Sequence, residues 1–245
     1  MIAPGAARRG RTLVNALLLL ALTAPAVCVT LPPAMTAPAA SAQEGAGYFD
    51  IRLPRLEYGG GGDWYGNPSS LPNLARYITA HTTLRADPEP VSVEPGSPEL
   101  FRYPVVYMNG HGNVRFTDRE VENLRRWLLG GGFLFADDNY GMDASFRREM
   151  ARVLPGHPLV ELPFTHPVYA GPFPFPEGLP KVHEHDGGPP HGWGILAEGR
   201  LVVFYSQNTD LGDGWEDPAV HGDPPQVREA ALRMGTNIVL YALTH

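Results

Sequence analysis

Four apolar, strand-like runs of this chain each end in a small polar cluster, and this pattern constrains the fold more than any other feature. The clusters occupy residues 59–64, 109–112, 137–139 and 206–210. Ligands of open α/β sheets bind in the crevice beyond the carboxyl ends of parallel strands. If the four strands are parallel, all four clusters converge on one site. The pattern therefore predicts where a ligand binds without identifying the ligand.

The unit over residues 104–136 is the clearest structural prediction. A strand over 104–109 is followed by Thr117 and Glu120, which have the spacing of a capping box at a helix start. The apolar stripe of that helix is formed by Val121, Leu124, Trp127 and Leu128, and glycines 130–132 end it. A second strand follows at once. A strand, a helix and a strand with short links predict a right-handed crossover and hence parallel strands.

The remaining elements extend this alternation into a three-layer α/β domain. We expect strands over 49–58, near 91–93 and over 201–206, and helices over 71–81, 143–152 and from Val227 to Tyr241. Residues 155–199 are rich in Pro and Gly and predict a long irregular segment, which is either functional or a plain surface excursion.

The N-terminal segment has the order of a secretory signal peptide. Arg8, Arg9 and Arg11 precede an apolar run over residues 13–22, and Ala40-Ser41-Ala42 gives an A-x-A cleavage pattern. The apolar run is too short to span a bilayer comfortably.

We therefore divide the chain into a signal peptide (1–42), a flexible spacer (43–47) and a single α/β domain (48–245). We expect that domain to be exported to the periplasm or the extracellular space, with no transmembrane span after cleavage. Cys28 is a candidate for a lipid anchor, but Val27 before it does not fit the lipidation pattern, so an anchor is not favoured.

Charge and cysteine content narrow the function classes. Of 19 Lys and Arg, three lie in the signal peptide, which leaves 16 against 26 Asp and Glu and a formal charge of −10. This charge argues against nucleic acid and anionic membranes as partners. Because Cys28 is the only cysteine, the exported domain has no disulfide, no cysteine nucleophile and no thiolate metal site. The expected partner is a small molecule or a cell-envelope protein.

The candidate catalytic residues are His111, Asp137 and Asp138. His111 lies between two glycines at a strand end, where it is either a proton donor, metal ligand or anion-pocket residue, or a turn histidine bonded to a carboxylate. Adjacent residues of an extended chain point in opposite directions. One of the two carboxylates therefore faces the crevice, and the other caps the following helix or bonds Asn139 and the turn.

The candidate ligand-binding residues are Asp63, Trp64, His166, Asp210 and Trp215. Trp64 and Trp215 lie in polar, Gly-rich segments, where their rings either stack on a ligand such as a sugar or cover the core. The four glycines before Asp63 do not match G-x-G-x-x-G and lack a G-K-[ST] signature, which disfavours a nucleotide site. The absence of a G-x-S-x-G elbow disfavours a serine hydrolase.

Two segments carry metal-ligand residue types, although the sequence assigns no cofactor. His183-Glu184-His185-Asp186 has ligand types at close spacing, but a solvated loop is the preferred interpretation because no helix or strand holds a coordination geometry. The acidic stretch over 208–217 could hold Ca²⁺, but its spacing breaks the EF-hand pattern and an acidic turn is preferred.

These motifs in combination resemble a bacterial family, the domain-of-unknown-function family numbered 4159. The resemblance covers nearly the whole exported domain and is carried by Leu56-Glu57-Tyr58, Gly62-Asp63-Trp64-Tyr65, Tyr103-Pro104, Gly110-His111-Gly112, Gly131-Gly132-Phe133-Leu134, Asp137-Asp138, His166-Pro167-Val168-Tyr169, Gly199-Arg200-Leu201 and Tyr205-Ser206.

The family looks like a relative of class I glutamine amidotransferase-like folds. This implies a three-layer, flavodoxin-like, open and mostly parallel sheet with helices on both faces. Such enzymes place a cysteine near the position of Asp137-Asp138, and the exported domain has none, so the resemblance implies a pocket without thiol chemistry.

Two functional hypotheses follow. The first is a non-thiol, amidotransferase-like domain that binds a small ligand or an envelope partner at the strand-end crevice. The alternative is a carboxylate- or metal-assisted hydrolase that acts on envelope glycans or peptides, with Asp138 as base or ligand and His111 and His166 assisting. A purely structural envelope module is a third possibility, and it predicts an exposed apolar patch in place of a polar pocket.

Overall fold

The computed structural model describes residues 49–183, 185 and 187–245, so the predicted signal peptide and spacer lie outside the described residues. The strands are β1 (Ile51–Arg52), β2 (Arg55–Leu56), β3 (Ala86–Asp87), β4 (Ser92–Val93), β5 (Val105–His111), β6 (Phe133–Tyr140), β7 (Val160–Glu161), β8 (His191–Ala197) and β9 (Arg200–Gln207). The α-helices are α1 (Ser70–His81), α2 (Asp118–Leu129), α3 (Asp143–Val153), α4 (Leu211–Trp215), α5 (Pro218–His221) and α6 (Pro225–Thr244), with 3₁₀ helices at Pro98–Arg102 and Pro167–Tyr169.

Seven strands form one mostly parallel sheet, in the order β4-β2-β5-β6-β9-β8-β7. The pairs from β4 through β9 are parallel, whereas β8 is antiparallel to β9 and β7 is antiparallel to β8. The short strands β1 and β3 form a separate parallel pair. The chain therefore has the mixed α/β fold with a mostly parallel sheet that its alternating periodicity predicts.

The predicted crossover from β5 through α2 to β6 is confirmed. Thr117 accepts the Glu120 amide N–H and the Glu120 carboxylate accepts the Thr117 amide N–H, so the capping box is complete. β5 pairs in parallel with β6, from Val105 opposite Phe133 onward. Gly132 is required at the turn because a Cβ there would overlap the Trp127 ring. The register of these two strands places both polar ends at the same edge of the sheet.

Alternate residues of the central strands face two separate hydrophobic clusters, as a strand period of two requires. One cluster contains Tyr107 and Phe135 together with apolar residues of α1, α4 and α6. The other contains Val106 and Leu134 together with apolar residues of α2 and α3. Helices therefore supply the partners that bury both sides of β5 and β6.

Two sequence predictions differ from the structure. The predicted strand over 49–58 is split into β1 and β2, because Pro54 has no amide N–H and its carbonyl accepts the Tyr107 amide instead. The predicted irregular segment over 155–199 contains β7 and the whole of β8. Gly192 and Gly194 interrupt the alternation of apolar and polar residues by which β8 would be recognised in the sequence. Gly192 is required because a Cβ there would overlap the Tyr169 hydroxyl.

Within the described part of the chain, no helix is both long enough and apolar enough to cross a bilayer.

Candidate functional site

The crevice lies where the chain changes direction across the sheet. β2 and β5 are parallel neighbours, but α1, which follows β2, packs in one hydrophobic cluster, and α2, which follows β5, packs in the other. The connections therefore leave the two strand ends toward opposite faces. In open α/β sheets this point is where ligands bind.

Asp63 and His111 form a hydrogen-bonded pair at this point. The Asp63 Oδ2 atom lies 3.0 Å from His111 Nδ1, and Asp63 Oδ1 accepts the His111 amide N–H. The pair fixes the orientation of the imidazole, and the His111 side chain remains 52% exposed. An imidazole held at one nitrogen by a carboxylate and open at the other is the arrangement that a general base requires.

Gly110 allows this approach. Its φ of +140° lies in a region that L side chains rarely adopt, and a Cβ there would overlap the Tyr58 hydroxyl and lie 3.0 Å from Asp63 Oδ1. The Tyr58 hydroxyl is buried and donates to the Asn109 carbonyl at 3.1 Å. The glycine therefore lets the loop after β2 lie directly against the end of β5.

Two asparagines connect the end of β5 to the end of β6. Asn139 Oδ1 accepts the Gly110 amide at 3.0 Å, and Asn139 Nδ2 donates to Asp213 Oδ1 at 2.8 Å. Asp213 Oδ1 also accepts from Asn67 at 2.5 Å. Asn139 thus connects the His111 loop to the Asp213 carboxylate of α4. Asn109 Oδ1 is buried without a hydrogen-bond partner among the described residues.

Asp137 is fully buried and faces α4. Its Oδ1 accepts from Ser206 at 2.5 Å and its Oδ2 accepts the Gly212 amide at 2.7 Å. Burial raises the pKa of Asp137 to about 6, and the hydrogen bonds from Ser206 and Gly212 oppose that rise. Asp137 therefore ties the ends of β6 and β9 to the start of α4, and it has no open face toward the crevice.

Asp138 points to the other side, as adjacent strand residues must. Its Oδ1 accepts the Met142 amide at 2.9 Å at the start of α3, and its Oδ2 accepts from the Tyr205 hydroxyl at 3.0 Å. Burial is the main cause that raises the pKa of Asp138. The predicted capping role thus falls to Asp138, although this residue also lines the crevice cavity.

Asp210 lies beside two histidines. Its Oδ2 contacts His185 Nε2 and lies 3.7 Å from His183 Nδ1, while its Oδ1 is buried without a hydrogen-bond partner among the described residues. Burial, Asp137, Asp213 and Asp138 raise the pKa of Asp210 to about 10, and Lys181 opposes this shift without cancelling it. Burial and the charge of His183 lower the pKa of His185.

Asp213 lies close to His183 and to a third histidine, His221. Its Oδ2 lies 2.9 Å from His183 Nδ1 and 3.7 Å from His221 Nε2. The other nitrogen of His183, Nε2, lies 3.1 Å from Asp223 Oδ1. We call His183, His185, Asp210, Asp213 and His221 the histidine–aspartate cluster. Two overlapping groups within it have atoms close enough to hold a metal ion, and His183 belongs to both.

A cavity of ≈ 200 Å³ adjoins this cluster at the strand ends. It is lined by Asp138, Asn139, Tyr140, Gly141, Asp143, His185, Gln207 and Asn208. Tyr140 is opposite His111 in the β5–β6 register, and its ring lies 4.9 Å from that of His185. The His111 pair, the cavity and the cluster are therefore continuous along one edge of the sheet.

A larger cavity of ≈ 790 Å³ lies beside the start of α2, where the segments after β2 and β5 border it through Gly59, Gly60 and Asn113. Two of the arginines that line it are bonded, because Arg152 contacts Glu149 and the Phe116 carbonyl and Arg148 contacts Glu149 and the Val114 carbonyl. These two charges belong to the packing of α3 against the segment that leads into α2.

Three predicted ligand-binding residues lie elsewhere. Trp215 is fully buried in the core, where its Nε1 donates to the Ala231 carbonyl at 2.8 Å, so its ring offers no stacking surface and that prediction is corrected. His166 caps a 3₁₀ helix and its ring lies 5.3 Å from that of Tyr241, away from the strand-end groups. Trp64 lines a separate cavity with Arg55 and Leu71.

The acidic stretch after β9 does not gather into one oxygen site. Glu216 accepts the Ser69 amide at 2.8 Å and Asp217 accepts from Asn73 at 2.9 Å, so both acids bond residues at or beside the start of α1. Asn208 Oδ1 accepts from Lys181 at 2.6 Å. The alternative of a Ca²⁺ loop is therefore not supported by the geometry.

Sequence reasoning underestimated His183 and His185 because they lie in a Pro- and Gly-rich segment without periodicity. The structure holds that segment against β9 and α4: the Val182 amide donates to the Thr209 carbonyl at 2.9 Å, and Lys181 bonds Asn208. The expected solvated loop is thus partly buried at His183. The signal that could have indicated this arrangement is the pairing of two histidines with aspartates 210, 213 and 223 later in the chain.

Fold and site together define a mixed α/β domain with a polar crevice at the carboxyl ends of its parallel strands. The chain belongs to the family described as domain of unknown function DUF4159, which matches residues 52–243 and confirms the family resemblance. No curated protein matches the chain.

Proposed function

We propose that this domain binds a small polar ligand in its strand-end crevice without thiol chemistry. The observation that carries the proposal is the ≈ 200 Å³ cavity at that edge, which is bordered by a half-exposed aromatic ring, Tyr140, and by the polar side chains of Asp143 and Gln207. Ligand sites combine such an aromatic surface with a few placed polar groups.

The cavity retains free hydrogen-bonding capacity. Gln207 Oε1 accepts from Trp193 at 2.8 Å, and Asp143 Oδ1 accepts from Arg147 at 2.7 Å. These bonds hold both side chains in place. Among the described residues, the Gln207 amide nitrogen and the second Asp143 oxygen have no hydrogen-bond partner, so they are available to contact a ligand. A held donor and a held acceptor favour a hydroxylated or zwitterionic ligand over an apolar one.

The proposal also concerns the type of α/β fold. We propose that the sheet is a flavodoxin-like, amidotransferase-like arrangement in which the position of the lost cysteine is filled by Asp137-Asp138. The support is the crossover from β5 through α2 to β6 and the crevice at the change of direction between β2 and β5. We further propose export to the periplasm or the extracellular space, on the basis of the N-terminal sequence pattern.

A second candidate function is hydrolysis of an envelope glycan or peptide. The Asp63–His111 pair specifically favours it, because a carboxylate holds one imidazole nitrogen and the ring stays open to the crevice. In this role His111 would take a proton from water, and Asp63 would stabilise the imidazolium that forms.

Binding is tested by thermal unfolding of the full chain with a panel of monosaccharides, amino acids, dicarboxylates and nucleotides. We expect one compound class to raise the melting temperature of the wild type, and the variant Tyr140→Ala to abolish that rise. Tyr65→Ala is the matched control, because Tyr65 is an exposed tyrosine that lines a different cavity. No shift with any class, or a shift that survives Tyr140→Ala, contradicts the proposal.

Hydrolysis is tested with ester, peptide and glycan substrates. We expect His111→Ala and Asp63→Asn to lose turnover by about 100-fold or more, as removal of a general base does. His157→Ala should retain it, because His157 bonds the Pro155 carbonyl beyond the far end of α3. Turnover that is unchanged in His111→Ala would exclude the pair from the chemistry.

A further inference from the structure

The histidine–aspartate cluster has the donor set of a transition-metal site. It combines imidazole nitrogens of His183, His185 and His221 with carboxylate oxygens of Asp210 and Asp213. Imidazole and carboxylate together suit Zn²⁺ and its first-row neighbours, whereas Ca²⁺ and Mg²⁺ prefer oxygen ligands alone.

The donor separations match one metal ion. Two ligands of a tetrahedral zinc at about 2.0–2.1 Å lie about 3.3 Å apart. His183 Nδ1 lies 2.9 Å from Asp213 Oδ2 and 3.7 Å from Asp210 Oδ2, and His221 Nε2 lies 3.7 Å from Asp213 Oδ2. The first and third distances belong to the group of His183, Asp213 and His221, and the second belongs to the group of His183, His185 and Asp210. All three lie close to the expected separation, and His183 is the residue that the two groups share.

The orientation of His183 has a second determinant. Its Nε2 lies 3.1 Å from Asp223 Oδ1, so a proton on Nε2 donates to that carboxylate and leaves Nδ1 as the lone-pair donor. A metal-ligating histidine almost always donates its other ring N–H to a carboxylate, a carbonyl or water. Asp223 thus provides the partner for the Nε2 proton in the tautomer that a metal at Nδ1 requires.

An unsatisfied oxygen provides an independent sign of a missing partner. Asp210 is fully buried, and its Oδ1 has no hydrogen-bond partner among the described residues. Buried polar atoms are normally hydrogen-bonded or coordinate a metal, because an unsatisfied one is costly. The Asp213 carboxylate lies in the same cluster and adds negative charge that a cation would offset.

We propose that His183, His185 and Asp210, with Asp213 and His221 beside them, bind one divalent cation of the zinc class at the edge of the crevice. The role of the cation rests on the proposed function. His185 lines the ligand cavity, so the ion would lie beside that cavity and supply a positive centre for a polar ligand. The binding of the ion itself is measured without any ligand.

The test uses the full chain, purified without a polyhistidine tag and stripped with a chelator. Zinc is titrated against a chromogenic competitor, and the metal retained after gel filtration is quantified by mass spectrometry. We expect about one equivalent of zinc and a raised melting temperature, with much weaker binding of Ca²⁺ and Mg²⁺. Retention of less than about a tenth of an equivalent, or equal affinity for Ca²⁺, overturns the proposal.

Variants distinguish the residues that bind zinc from those that do not. We expect Asp223→Asn to weaken zinc binding by about 10- to 100-fold, and His183→Ala to weaken it further because it removes the shared ligand. His191→Ala is the matched control, because His191 Nδ1 pairs with Glu161 Oε1 at 2.7 Å outside the cluster. Circular dichroism establishes that each variant is folded. Zinc binding that is equal in folded His183→Ala and wild type overturns the assignment.

The two proposals fail separately. If zinc does not bind but Tyr140→Ala still abolishes a ligand-induced shift, the metal inference fails and the ligand site stands. If zinc binds with the expected variant pattern but no compound class shifts the melting temperature, the ligand-binding proposal fails and the metal site stands.

Discussion

Substitution of Gly110 by alanine tests the packing on which the crevice depends. The new Cβ would overlap the Tyr58 hydroxyl and lie 3.0 Å from Asp63 Oδ1, at a backbone φ of +140°. Tyr58 cannot move aside easily, because its ring is buried and its hydroxyl also lies close to Gly62. The substitution therefore adds both backbone strain and overpacking.

The two costs are separable in magnitude. A non-glycine residue in such a backbone region costs about 1–3 kcal/mol, and overpacking a tight site costs about 1–3 kcal/mol more. Gly112→Ala is the internal control, because Gly112 also has a positive φ, +82°, but a Cβ there meets no atom within 4 Å. The difference between the two variants contains the overpacking, about 2 kcal/mol, and any extra backbone strain at the larger φ of Gly110. It should therefore reach at least about 4–8 °C in melting temperature for a domain of this size.

Thermal unfolding of wild type, Gly110→Ala and Gly112→Ala measures this difference directly. We expect Gly110→Ala to melt clearly below Gly112→Ala, and to lose the Asp63–His111 pairing as the loop after β2 is displaced. Equal melting temperatures for the two variants would refute the close packing of Tyr58 and Asp63 against β5.

Three further predictions concern stability. Burial opposes ionisation of Glu149, but hydrogen bonds from Arg148, the Phe116 amide and Arg152 hold its pKa below the usual value. The carboxylate therefore stabilises the fold above about pH 4.5, and this stabilisation is lost as the pH falls through the lowered pKa. Glu149→Gln should reduce the free energy of unfolding by about 2 kcal/mol at pH 7 and by less in acid, as measured by urea unfolding at pH 7 and at a pH below the lowered pKa. Ser206→Ala removes the hydroxyl donor to Asp137 and should cost about 1–3 kcal/mol in the same assay; no loss would mean that this bond is not formed. Trp215→Phe removes the hydrogen bond to the Ala231 carbonyl and part of a fully buried ring, so it should reduce the free energy of unfolding by about 1–3 kcal/mol. An unchanged free energy of unfolding would mean that the ring lies at the surface.

The parts of the fold that depend on local signals were predictable. α2 and its crossover follow from the Thr117–Glu120 capping box, the apolar stripe and the following glycines, because each acts within a few residues. β8 was not predictable in this way. Its glycines weaken the strand pattern, and the reason for Gly192 is the distant Tyr169 hydroxyl.

The convergence of polar side chains at the strand ends was predictable, but the contacts that each of them makes were not. Strand-end polarity places Asp63 and His111 together because parallel strands share an edge. The same reasoning could not separate Asp137, which faces α4, from Asp138, which binds the start of α3, because register and helix placement decide between them. Trp215 was misplaced because its Gly-rich surroundings form a short buried helix.

The histidine–aspartate cluster shows the limit of local patterns. His183 meets Asp213 and Asp223 only through tertiary folding, and no motif spacing connects them. Each residue alone is typical of a polar loop. Only their convergence beside a buried, unsatisfied carboxylate indicates a metal.

The most direct test of the site is a crystal structure of the zinc-treated chain with anomalous diffraction collected on both sides of the zinc absorption edge. We expect one anomalous peak at about 2.0–2.1 Å from His183, within coordination distance of His185 and Asp210 and next to the strand-end cavity. A crystal without a peak there, or with zinc bound only at surface histidines such as His157 or His191, would contradict the proposal that this edge of the sheet is a metal-centred functional site.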